Sequence, residues 1–183
     1  MISALKKRLL SVADYHKMAA IGILPDRGIE LIDGEIIEMS PTGSRHLSCV
    51  NTLNEILIEA LRRSVIISIQ NPISLGPFSE PEPDIVILKR KPSKYADALP
   101  EAEDVLLLIE VADSSVAYDR EVKMKLYAQH LIPEYWLVDL SESRLEVYTD
   151  PVDDYYRTRS FFKKGESVVA QLVPLKLPIS DFL

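Results

Sequence analysis

The chain has one cysteine, Cys49, so it can form neither an intrachain disulfide framework nor a cysteine-built zinc cage. It has no apolar run near the roughly 20 residues needed to cross a bilayer. Residues 1–10 (MISALKKRLL) lack the long apolar stretch and cleavage pattern of a signal peptide. A soluble, cytoplasmic protein with no membrane partner is therefore expected. Positive charge is also short: 21 Lys and Arg face 28 Asp and Glu, a formal net charge of −7. Such a chain is poorly suited to coating nucleic acid non-specifically, because that binding neutralises phosphates with Lys and Arg. A nucleic acid held in a local cleft is still allowed. The phosphate-binding GxxxxGK[ST], the dinucleotide GxGxxG, the zinc-protease HExxH and the hydrolase GxSxG are all missing.

What the chain does contain suits a globular protein: 183 residues, 47% hydrophobic and 27% charged. No internal repeat or low-complexity linker divides it, and one domain over residues 1–183 is expected. Ser11 with Asp14 forms a capping-box signal for a short helix to about Ala20. Residues 28–39 read as a hairpin turning at Asp33-Gly34. A long helix from about Ser44 to Arg63 puts His46, Val50, Leu53, Leu57 and Leu61 on one side. Short strands are expected at 65–69 and 73–75, and buried ones at 84–88, 105–112 and 134–140. A helix from about Tyr118 to His130 precedes the last of these, and 144–148, 156–162 and 167–173 alternate as further strands. The pattern is α/β, a mixed sheet with a few flanking helices and additional antiparallel strands.

Two acids stand on apolar strands, Asp84 heading DIVIL and Glu110 inside VLLLIEVA. An unpaired buried charge is expensive, so each needs a partner. If the strands are neighbours, both carboxylates can reach one cleft. They would then share either a divalent cation, for which hard oxygens suit magnesium or manganese, or a salt bridge. At 100° per residue, Lys123 sits in the arc of Val122, Leu126 and Tyr127 and faces the sheet, whereas Lys125 faces water beside Glu121. Lys123 either stabilises a developing phosphate charge or packs its stem while the ammonium reaches out. His46, on the first helical turn, should be neutral against the helix dipole and either contacts substrate or is a hydrogen-bonded boundary residue. Glu30, or less convincingly Glu35, could supply a third acid. Cys49 and Trp136 read as core. The basic clusters are Lys6 to Arg8, Lys89 to Lys94 and Lys163-Lys164, with Lys89, Arg90, Lys91 and Lys94 the candidates for a nucleic-acid groove.

Four strings then carry a resemblance: ELIDGEIIEMSPTGSRH at 30–46, PEPDIVIL at 81–88, LIEVADSSVAYDREVKMKLYA at 108–128 and IPEYWLVD at 132–139. In that order they resemble the Uma-type family of putative restriction endonucleases, within the PD-(D/E)XK nuclease superfamily. The resemblance implies a restriction-endonuclease-like core and metal-dependent hydrolysis of DNA phosphodiesters. It implies metal ligation by Asp84, Glu110 and the Val111 carbonyl with Mg2+ (or Mn2+), and catalytic parts for Lys123, Glu30 and His46. The superfamily lysine expected at position 112 is an alanine here, and the family's lysine falls at Lys123, four residues before Tyr127. The analogy also suggests a homodimer. A weakly active or inactive nuclease-fold protein that binds DNA in an accessory role is the alternative.

Overall fold

The structure is a computed structural model describing residues 7–25, 27–39 and 41–183. Lys6 lies outside them. Among the described residues, no helix is long and apolar enough to cross a membrane. Helix α1 (Val12–Ala20) begins with the capping box: Ser11 Oγ accepts the Asp14 N–H, and the Asp14 carboxylate accepts the Ser11 N–H. Strands β1 (Ile29–Ile32) and β2 (Glu35–Glu38) form the hairpin, with Asp33 and Gly34 both at positive φ (48° and 77°), as a tight hairpin turn requires. Helix α2 (Ser44–Leu61) buries His46, Val50, Leu53, Leu57 and Leu61 along one stripe.

The main sheet holds β3 (Ile66–Ile69), β4 (Ile85–Leu88), β5 (Val105–Ala112), β6 (Glu134–Asp139), β7 (Arg144–Val152) and β8 (Tyr155–Lys163), in that spatial order. β5 and β6 run parallel and the other neighbours antiparallel. The parallel step needs a crossover, supplied by α3 (Val116–Tyr118), a π-helical turn at Asp119–Lys123 and α4 (Met124–Gln129). Strand alternation splits the core in two. Ile85, Ile87, Leu107, Ile109 and Trp136 pack with α2 on one face. Val86, Leu108, Leu137 and four tyrosines (Tyr127, Tyr135, Tyr148, Tyr156) pack with α4 on the other. Burial on both faces explains why β4 reads IVIL without alternation.

Four expectations need correction. Residues 73–75 form no strand, only an isolated bridge from Ser74 to Glu101. β7 and β8 extend to nine residues each. The 167–173 strand shortens to β9 (Ser167–Val169), which pairs with an unanticipated β10 (Lys176–Pro178). The crossover helix is not uniformly α-helical. Its π-helical turn breaks the 100° spacing, so Val122 points outward (37% exposed) rather than into the apolar arc.

The hairpin turn docks on neighbouring backbone: the Gly34 N–H donates to the Phe78 carbonyl, and the Gly34 carbonyl accepts the Leu10 N–H. A Cβ at Gly34 would lie 2.6 Å from the Leu9 Cβ and 3.1 Å from Leu10 backbone atoms. Gly34→Ala is therefore expected to cost more than the roughly 1–2 kcal/mol of the left-handed conformation alone. Urea-unfolding midpoints against wild type check this.

Candidate active site

Asp84 immediately precedes β4, and Glu110 lies near the end of β5, the neighbouring antiparallel strand. Both side chains share the parity of Val86 and Leu108, so both point to the face covered by the crossover helix. They meet there. The Asp84 N–H donates to Glu110 Oε2 (3.2 Å), and the Val111 N–H donates to Asp84 Oδ2 (2.9 Å). The Val111 side chain joins the opposite core, so only its main chain serves this site.

Lys123 stands over Glu110, its Nζ 3.1 Å from Glu110 Oε1 and 3.2 Å from Glu30 Oε2. Its side chain is 7% exposed, so it does not reach out to solvent. Lys125 is exposed. Tyr127 donates its hydroxyl to Glu110 Oε1 (2.7 Å). The hairpin delivers Glu30, which is buried and also accepts the Glu82 N–H (3.3 Å). Glu35 is exposed and pairs with Lys7.

His46 reaches Asp84 from α2, its Nε2 donating to Oδ2 at 2.9 Å. That hydrogen bond raises the His46 pKa, outweighing the opposing effect of burial. The carboxylate in contact thus opposes the effect of the helix dipole on this residue. Gln70 donates to the other Asp84 oxygen at 3.1 Å. Sequence reasoning passed over Gln70, and also Asp119, which is buried on the π-helical turn and accepts the Ser115 hydroxyl (2.6 Å). Its signal was its place four residues before Lys123, a spacing that puts two helical side chains on one side.

The electrostatics are unbalanced. Glu30, Asp84, Glu110 and Asp119 gather around Lys123 and His46. Burial pushes the Glu110 carboxyl up to about 8; Lys123 opposes that shift, while Asp84, Asp119 and Glu30 add to it. Burial also raises Asp119, against Lys123 and the Ser115 bond. For Lys123, burial disfavours the charge, but Glu110, Glu30 and Asp119 outweigh it and hold its pKa above the ordinary lysine value. Glu110 is thus an acid short of positive charge.

A divalent cation matches that shortage, and the donors are hard oxygens. Among the described residues, no three His, Cys, Asp or Glu side chains form a ligand cluster. A fitting site would therefore use the Asp84 and Glu110 carboxylates, a main-chain oxygen such as Val111 O, and water. Each carboxylate offers about four lone-pair positions, so the protein donors do not exhaust them. On charge and donor type, the residues present fit magnesium or manganese.

The Lys89–Lys94 cluster is not part of this site. It follows the far end of β4, and at about 3.3 Å per residue Lys89 is roughly 16 Å from Asp84. Lys91 is moreover paired with Asp104 (2.7 Å).

The sequence of residues 12–180 matches the family model Uma2, described as "Putative restriction endonuclease". The chain belongs to the Uma2 family. Among solved structures it is similar to "a putative nuclease belonging to DUF820" from Anabaena variabilis ATCC 29413. The TM-score is 0.76 at 18% identity, covering 94% of this chain and 97% of that one. At that identity the likeness shows the fold, a mixed α/β architecture. No curated protein matches. The family agrees with the four sequence strings, and it makes nucleic acid the substrate class to consider for this Uma2 protein.

Titration should expose the charge imbalance. A carboxyl whose folded pKa is raised stabilises the fold below its unfolded pKa, and that stability is lost as pH rises through the folded value. The raised His46 has the same sign. Metal-free protein in chelator is therefore expected to lose stability between about pH 4.5 and pH 8, the interval between the ordinary glutamate pKa and that of Glu110. Melting temperatures across this range should fall in wild type and flatten in Glu110→Gln.

Proposed function

We propose that this chain is a magnesium- or manganese-dependent endodeoxyribonuclease, one domain over residues 1–183, acting on duplex DNA as a homodimer. The observation that carries the reading is the convergence of Asp84 and Glu110 beneath a buried Lys123. A purely structural core has little use for so many acids around one lysine, because buried pairs are at best weakly stabilising. Family membership supports the same chemistry.

In this reading Asp84, Glu110 and the Val111 carbonyl hold the cation, which when bound supplies Lewis-acid polarisation of the scissile phosphate and a more acidic water. The protein's own groups do the rest. His46 and Gln70 each fix one oxygen of Asp84, so that carboxylate is oriented before substrate arrives. Tyr127 and Lys123 do the same for Glu110 Oε1. Lys123 keeps its proton at Nζ and presents positive charge where a phosphate would gain negative charge, the preorganised stabilisation that serves phosphoryl transfer. Glu30 sets the position of Lys123 through the second ion pair. With Lys123 charged and His46 bonded to Asp84, a group to deprotonate the attacking water is most simply found in solvent or substrate.

One observation favours the second reading, a catalytically weak DNA-binding accessory protein. Lys123 has both near acids as close partners, and a lysine so engaged is less free to meet a phosphate. Calorimetric titration of Mg2+ and Mn2+ and nicking of supercoiled plasmid separate the two. Wild type should bind the cation and nick the plasmid, and Asp84→Asn should lose both. Lys125→Ala should be nearly silent, within about 0.5 kcal/mol in stability. Lys123→Ala should abolish nicking. Because it strands buried acids, it should also lose about 3–5 kcal/mol of stability, so nicking is compared at a temperature where the variant is folded. Cation binding by wild type without nicking would favour the accessory reading.

A further inference from the structure

The strand β8 departs from the rest of this acidic chain. Residues 155–164 (YYRTRSFFKK) contain four basic residues and no acid, although the protein has 28 acids in 183 residues. Among the described residues β8 is an edge strand, paired with β7 alone in the main sheet. Alternation sends Phe162 toward the core packed with α2 and leaves Arg159, Phe161 and Lys163 exposed on the other side; nearer the strand's start Tyr156 joins the tyrosine core, and its neighbour Arg157 is exposed at the sheet edge.

That side is the face of the candidate site. Register runs in one row across the sheet: Glu110 opposite Leu137, Leu137 opposite Glu146, and Glu146 opposite Phe161. Directly paired residues share a face, so Phe161 and its neighbours lie level with Glu110. Three strand spacings of roughly 4.8 Å put them about 14 Å from β5.

Arg159 is also held rigid. Its Nη2 donates to Glu146 Oε2 at 2.7 Å, and its guanidinium lies 4.7 Å from the Phe161 ring centroid and 5.3 Å from that of Tyr148. Glu146 is fully buried and is also bonded by Arg120, Arg144 and Tyr148. Burial alone would raise its carboxyl, but hydrogen bonds from Arg120, Tyr148 and Arg159 bring it down to about 2, so this anchor stays charged. Glu146 accepts only one of the five guanidinium N–H groups of Arg159, and the side chain remains 39% exposed. An arginine whose conformational freedom is already spent loses less on binding an anion. Arg157 has only a loose, exposed pairing with Asp150 at 3.7 Å.

We infer that β8, through Arg159 and Lys163 on the site's face and Arg157 at the edge of the same strand, is a docking track for the phosphate backbone of a nucleic acid whose scissile bond lies at the Asp84–Glu110 site. Along the strand Arg157 and Arg159 stand about 6.7 Å apart and Arg159 and Lys163 about 13 Å apart, close to two and four times the 3.4 Å rise per nucleotide of a DNA strand. Phe161 offers an apolar surface between them. The track rests on the nuclease reading for its substrate but uses none of that reading's metal or proton chemistry.

The test is fluorescence anisotropy with a 25-base-pair duplex, without divalent cation, over a series of salt concentrations. Arg157→Ala/Arg159→Gln/Lys163→Ala is expected to bind at least about tenfold more weakly. The slope of log K against log salt should shrink by about 0.9 per lost contact, so about 2.7 for three. Arg159→Gln removes a partner of buried Glu146, so Arg157→Ala/Lys163→Ala is measured beside it, and its slope should shrink by about 1.8. Lys89→Ala/Arg90→Ala/Lys94→Ala should bind as wild type does. Unchanged affinity and slope in both β8 variants, or no duplex binding by wild type at low salt, would overturn the track. Asp84→Asn should bind at least as tightly as wild type while failing to nick plasmid. Nicking by wild type with undiminished binding in the β8 variants would overturn the track alone. Weakened binding in those variants, with no nicking by wild type, would uphold the track and overturn the nuclease reading.

Discussion

The arrangement depends on one buried cation. Lys123 holds Glu110 from the sheet and Glu30 from the hairpin within 3.2 Å, and so adds a polar tie to three elements whose apolar residues Ile32, Leu108 and Leu126 share one core. The enclosed ammonium can stay charged only because acids surround it, and those acids are tolerable only because it is there. Neither half of this arrangement is stable without the other. It also leaves more negative than positive charge at the site, which is why burial raises the Glu110 carboxyl rather than leaving it fully ionised. A scaffold selected for stability alone would replace such a cluster with apolar residues. A protein that must receive a cation and a phosphate has reason to keep it.

The π-helical turn at Asp119–Lys123 places that lysine. It brings three charged side chains toward the sheet face: Asp119 beneath Ser115, Arg120 onto Glu146 and Asp139, and Lys123 onto Glu110. Two buried acids on neighbouring parts of one row, Glu110 and Glu146, are thus each clamped from the same helical segment. The cost appears at Val122, an apolar residue turned outward. Irregular helical turns of this kind are frequent at functional sites. The second clamp also immobilises Arg159 and Arg144, so its ion pairs reach from the crossover helix to the sheet edge. At that edge β8 adds three basic side chains, Arg157, Arg159 and Lys163.

The negative net charge is therefore a poor guide to what this protein can bind. What matters for a polyanion is the arrangement within about a Debye length, roughly 8 Å at physiological salt. Over that distance the basic side chains of β8 act apart from most of the acidic surface, the near acids being Glu146 and Asp150, with which Arg159 and Arg157 pair. The Lys89–Lys94 cluster, the most conspicuous basic run in the chain, stands at the wrong end of β4. Sequence density of charge and useful position of charge are different properties.

Much was legible from the sequence because it is set by local rules. The capping box of α1, the Asp33-Gly34 turn, the apolar stripe of α2 and the doubly buried β4 and β5 follow from short-range sterics and from periodicities of 3.6 and 2. The mixed α/β class followed from them, and the four family strings agree with the Uma2 match. Asp84, Glu110 and Lys123 could be picked out because charges among apolar residues demand partners. Which partners they take was decided only by the tertiary structure. His46 with Asp84 and Lys123 with Glu30 are separated by 38 and 93 residues, distances over which no periodicity carries information. The histidine's carboxylate partner, the outward turn of Val122 and the level placement of Glu110, Glu146 and Phe161 depend on strand register and on one irregular helical turn. Sequence specifies these only through the packing of the whole sheet, because pairing energy is summed across strands distant in the chain and no local segment contains it.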